Sequence, residues 1–106
     1  MGKRDIIKEI IDELENLSYE RLKDFYYAID LYADDYDDDS IRALILKWNQ
    51  SNYGNFNEMF PVTAKLVEEL KGVNDGVERP REVYAGIISL AKDALKEMKD
   101  YLKSHE

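Results

Sequence analysis

Apolar residues recur at helical spacing along almost the whole chain, and no stretch alternates as a strand would. In the first segment Ile6, Ile7, Ile10, Ile11, Leu14 and Leu17 share one side, with Glu9, Asp12, Glu13 and Glu15 on the other. The pattern predicts an all-α fold: a compact single-domain bundle of about five helices, near 4–16, 19–34, 40–52, 58–71 and 80–104. Residues 1–106 form one helical domain in this reading. The last helix is its clearest member and should sit at the centre. Tyr84, Ile88, Ala91, Leu95, Met98 and Leu102 make one seam, and Val83, Ile87, Leu90, Ala94 and Tyr101 lie alongside. So broad an apolar face calls for several neighbours.

The breaks carry their own signals. Ser18 is placed to cap the second helix, with Leu17 and Leu22 as a hydrophobic staple across it. Leu22, Phe25, Tyr26, Ile29 and Ala33 should then face inward. The acidic run Asp34 to Asp39 suits the end of that helix poorly, because carboxylates meet the negative end of the helix dipole there. It suits the start of the next, capped by Asp39 or Ser40, where Ile41, Leu44, Ile45 and Trp48 repeat at i, i+3, i+4, i+7. Asn49 to Asn57 should be a loop. Pro61 disturbs the start of the fourth helix by pushing Phe60 from helical angles, while Met59, Val62, Leu66 and Leu70 face inward and Gly72 closes it. Asn74-Asp75-Gly76 marks a turn, and Pro80 fits the first position of the last helix.

A chain of 106 residues with 44% hydrophobic content can bury a sufficient core, about 65% of its unfolded surface, without disulfide or metal. It has no cysteine, which excludes a disulfide scaffold and thiolate metal sites. Lys8, Glu9 and Asp12 interrupt the first apolar residues, so no signal-peptide core is read there. Ile6 stands where a myristoylation signal wants Ser or Thr. The expected setting is the cytoplasm.

The net charge of −8 argues against a surface built to grip phosphate backbones. Its distribution says more. Asp5 to Asp39 holds thirteen acids against three bases, net −10; the remainder has twelve bases and ten acids, net +2. At 100° per residue, Tyr27 and Leu31 fall on the outer face of the second helix, among Glu20, Asp24, Asp34 and Asp35. Five of eight tyrosines lie between Tyr19 and Tyr36, and tyrosine is enriched where interfaces concentrate their affinity. The partner-binding set is therefore Glu20, Asp24, Tyr27, Leu31, Asp34, Asp35, Tyr36, Asp37, Asp38 and Asp39. The opposing reading packs Tyr27 and Leu31 under another helix. Lys92, Lys96, Lys99 and Lys103 form a stripe on the last helix, read first as a solvated face with pairs such as Lys96–Asp100.

Candidate chemistry is sparse. A calcium loop starting at Asp35 would need Gly and Glu where the chain has Ser40 and Leu46. Asp34-Asp35-Tyr36-Asp37-Asp38 matches the DDxxD pattern of isoprenoid synthases, which are much larger helical proteins with a second metal motif. The small all-α nucleotide pyrophosphatases join EExxE to ExxD; Glu97-Met98-Lys99-Asp100 supplies the second motif, but Glu68-Glu69 lacks its third acid. His105 stands alone, without a second ligand or a nucleophile, and is expected to be disordered. No recognition helix is basic, since the third helix offers only Arg42 and Lys47.

These residues predict a non-catalytic acidic protein-binding module without cofactor or metal. Its expected partner is a basic protein, and basic surfaces are commonest on proteins that handle nucleic acid. The sharpest version is an inhibitor that occupies such a surface as a nucleic-acid mimic; direct nucleic-acid and membrane binding are not expected. In charge, size and helical content the chain resembles nuclease-immunity proteins and phage anti-CRISPR inhibitors, a resemblance of kind that no motif carries. The alternatives are a homo-oligomeric subunit, with lysine stripe against acidic helix across a two-fold axis, and a magnesium-dependent nucleotide pyrophosphatase.

Overall fold

The all-α expectation holds: the computed structural model describes residues 2–24, 40–73 and 75–105, which form six helices and no strand. The first, α1 (Lys3–Glu15), buries Ile6, Ile7, Ile10, Ile11 and Leu14, the apolar side read from the sequence. The Gly2 N–H donates to the Asp5 carboxylate at 3.2 Å, which closes its first turn.

Ser18 caps α2 (Tyr19–Lys23) by accepting from the Arg21 N–H at 3.2 Å. This helix is far shorter than the expected 19–34. Asp24 takes an extended backbone (φ −79°, ψ 109°), and its N–H turns back to the Arg21 carbonyl at 3.1 Å. An aspartate is a weak helix former and meets the negative end of the dipole at that position. Residues 25–34, the rest of the expected helix, lie outside the described residues.

Ser40, itself buried, caps α3 (Ile41–Gln50) through the Ala43 N–H at 3.1 Å. The helix stops two residues short of expectation, where the chain turns through Asn52 at φ 61°. The asparagine stretch is less of a loop than predicted. Asn49 belongs to α3, and its side chain accepts from the Phe56 N–H at 3.0 Å. Asn55 caps a one-turn α4 (Phe56–Met59), accepting from the Glu58 N–H at 3.1 Å.

Phe60 leaves helical angles (φ −129°, ψ 67°), as its place before proline predicts, and α5 (Pro61–Val73) starts afresh. Gly72 lies inside α5 instead of closing it, and Met59 is 39% exposed instead of inward. Residues 75–80 lead to α6 (Arg81–Ser104), with Pro80 just before the helix instead of inside it. Arg79 braces this connection. Its guanidinium donates to both carboxylate oxygens of Asp75 and to the carbonyls of Val77 and Gly72. The Arg79 N–H donates to the hydroxyl of buried Tyr84 at 2.9 Å.

At 1.5 Å per residue the 24 residues of α6 run about 36 Å, most of the molecule's 39 Å length. The helix is central as expected, packed against α5, α1 and α2, while α3 leans on α1. Its buried seam is Tyr84, Ile87, Ala91, Ala94 and Met98, a path between the two expected seams. Ile88, Leu95 and Leu102 are therefore half-buried on the α1 flank, and Val83 and Leu90 are left on the α5 flank. Trp48 is fully buried at the other pole of the core, ringed edge-on by Tyr53, Phe56, Phe60 and Tyr101.

Candidate protein-binding surface

Two of the ten expected partner-binding residues belong to described structure. Glu20 is exposed in the first turn of α2, where a carboxylate favours the helix dipole, and Asp24 is exposed at its end. Tyr27, Leu31, Asp34, Asp35, Tyr36, Asp37, Asp38 and Asp39 lie outside the described residues. Of the acidic side read from the sequence on α1, Asp12 and Glu15 are exposed, whereas Glu9 and Glu13 are half-buried and one carboxylate oxygen of Glu9 is buried.

The ground beside α2 is mixed in charge. The Tyr19 ring has the Lys23 ammonium 5.0 Å from its centroid and the Arg81 guanidinium at 4.9 Å, and meets Tyr84 edge-on at 5.7 Å. Tyr19 thus ties α2 to the start of α6, a structural duty that the tyrosine-rich composition concealed. Cation–π stacking holds two positive charges next to Glu20 and Asp24, which limits the negative field there.

The lysine stripe on α6 is partly engaged within the chain. Lys96 donates to Asp100 at 2.9 Å, and that hydrogen bond holds its ammonium above the usual lysine range. Lys99 lies 3.9 Å from Glu15 of α1. Both pairs are solvent-exposed and stabilise the fold weakly. They direct part of the stripe toward the chain's own acids.

The acids of the ExxD motif do not converge. Glu97 turns to α5, where its carboxylate accepts from the Val62 N–H at 3.1 Å, the Thr63 N–H at 2.9 Å and the Thr63 hydroxyl at 2.8 Å. It supplies the cap that Phe60-Pro61 cannot, because neither residue carries a side-chain acceptor. Asp100, one turn on, belongs to Lys96. Among the described residues no three His, Asp or Glu side chains gather closely enough to hold a metal ion. Ser40 and Leu46, the positions at issue for a calcium loop, cap and extend α3.

No protein-family model, curated protein or solved structure matches the chain. The surface must speak for itself.

His105 differs from expectation: it stacks on Tyr101 with centroids 4.0 Å apart, and its Nδ1 lies 3.0 Å from the Tyr101 carbonyl. Sequence reading also missed a groove between α5 and α6, lined by Glu69, Glu82, Val83, Gly86, Leu90 and Asp93 among others. Val83 and Leu90 flank the buried seam of α6 on that side, and helical periodicity alone does not separate them from the core face. No helix among the described residues is long and apolar enough to cross a membrane.

Proposed function

We propose that this chain is a non-catalytic protein-binding module whose acidic first third docks on a basic partner, in its sharpest form an inhibitor occupying a nucleic-acid-binding surface. The observation that carries the reading is the net −10 over Asp5 to Asp39, against +2 elsewhere. The exposure of Asp12, Glu15, Glu20 and Asp24 supports it. A located negative field speeds encounter with a positive surface and rejects like-charged ones; aromatic residues such as Tyr27 would then supply contact area. The proposed setting is the cytoplasm, where proteins that handle nucleic acid are met.

The test is capture from native cells with the tagged chain as bait, followed by elution with duplex DNA or RNA. The expected result is a basic, nucleic-acid-binding protein that competitor nucleic acid releases. Recovery only of partners that ignore the competitor would overturn the mimic reading.

A further inference from the structure

The groove between α5 and α6 has a volume of about 440 Å³ and lies on the flank of α6 away from α1. Its base is apolar: Val83 is 38% exposed, and Leu90 is half-buried two turns on. Gly86 sits between them in mid-helix, where glycine is the least favourable residue short of proline. The fold does not need it there. A methyl group built on Gly86 would have no neighbouring atom within 4 Å. The missing side chain therefore leaves room for a backbone arriving from outside the chain.

The rim supplies the chemistry. Glu82 and Asp93 stand at the two ends on α6, eleven residues or about 16 Å apart, and Glu69 faces them from α5. All three are exposed, and none has an ion-pair partner among the described residues. Among the described residues Lys65 is the one cation on the rim, which leaves their charge there net negative. A second copy is a poor occupant, because a two-fold contact sets the same patch against itself and would oppose like carboxylates.

We propose that this groove receives a cationic amphipathic helix from a partner protein. Three turns of helix match the 16 Å between the end carboxylates. Apolar side chains at i, i+3 and i+4 would meet Val83 and Leu90, and the helix backbone would approach over Gly86. Lysines or arginines flanking that stripe would face Glu69, Glu82 and Asp93. This surface is distinct from the acidic first third and goes beyond the function proposed above.

The test uses the full chain, labelled with ¹⁵N, and a synthetic leucine/lysine amphipathic peptide of about four turns. A scrambled peptide of equal composition is the control. The amphipathic peptide should move the amides of 65–69 and 82–93 and bind about tenfold tighter than the scrambled one. Gly86→Phe, which fills the groove from its base, and Glu82→Lys with Asp93→Lys should each weaken it about tenfold. Both act at exposed positions, and circular dichroism verifies their fold. Neutralising Asp12, Glu15 and Glu20 should leave the groove shifts in place, which separates this proposal from the previous one. Shifts confined to residues 5–24, equal binding of the scrambled peptide, undiminished binding by both folded variants, or concentration-dependent groove shifts without peptide would each overturn it.

Discussion

The carboxylate of Glu97 satisfies two backbone N–H groups and a buried hydroxyl at the start of α5, 34 residues away in sequence from Thr63. Replacing it by alanine would leave those donors unpaired at a partly buried helix end. Glu97→Ala should cost about 1–3 kcal/mol, and Glu97→Gln, which keeps one acceptor, clearly less. Urea unfolding of the three proteins measures this; equal midpoints would show that water replaces the cap at no loss. Such a bond was not legible in the sequence, where Glu97 reads as an outward acid on a charged face. It lies on the α5 flank because the buried seam of α6 follows Ala94 and Met98, and only the third dimension brings Thr63 there. The caps made by Ser18 and Ser40 were legible, because each acts on an amide three residues ahead.

At the scale of elements, the link from α5 to α6 is held by the Arg79–Asp75 pair. The Arg79 hydrogen bonds, aided by the Val77 N–H, lower the Asp75 carboxyl to about 2. A carboxyl depressed on folding stabilises the native state above its unfolded value, near 4, and loses that contribution as pH falls through the folded value. The stability gap between the native chain and Asp75→Asn should thus be constant above about pH 4 and shrink between about 4 and 2. Thermal melts across that range check it; a gap independent of pH would show that the charge of Asp75 has no part. The four longer helices were legible from periodicity. Pro61 marked a disturbance at Phe60, but the one-turn α4 before it and the start of α5 at Pro61 instead of 58 were not legible. Nor was the end of α2, since Leu22, Phe25, Tyr26, Ile29 and Ala33 repeat in the sequence as the inward side of one long helix would. What ends α2 is Asp24, whose extended backbone carries no hydrophobic signature.

For the whole molecule, the separation of charge is the feature most directly written in the sequence. The structure adds local detail: Lys23 and Arg81 gather on Tyr19 beside the acids of α2, and Lys99 reaches Glu15. Of the expected binding residues, Glu20 and Asp24 are seen at the surface, while Tyr27, Leu31 and the six residues from Asp34 to Asp39 lie outside the described residues. The α5–α6 groove was illegible for a different reason. Periodicity assigned Val83 and Leu90 to a broad core face, and only the position of α5 leaves them open to solvent. The central claim, that acids of the first third dock on a basic partner, is tested most directly by the ionic-strength dependence of partner capture. The native chain is compared with a variant carrying Asp35→Ser, Asp37→Ser, Asp38→Ser and Tyr27→Ala. The account predicts that capture by the native chain weakens steeply as salt rises, and that the variant binds weakly with little salt dependence. Equal capture by both chains, with the same response to salt, would contradict it.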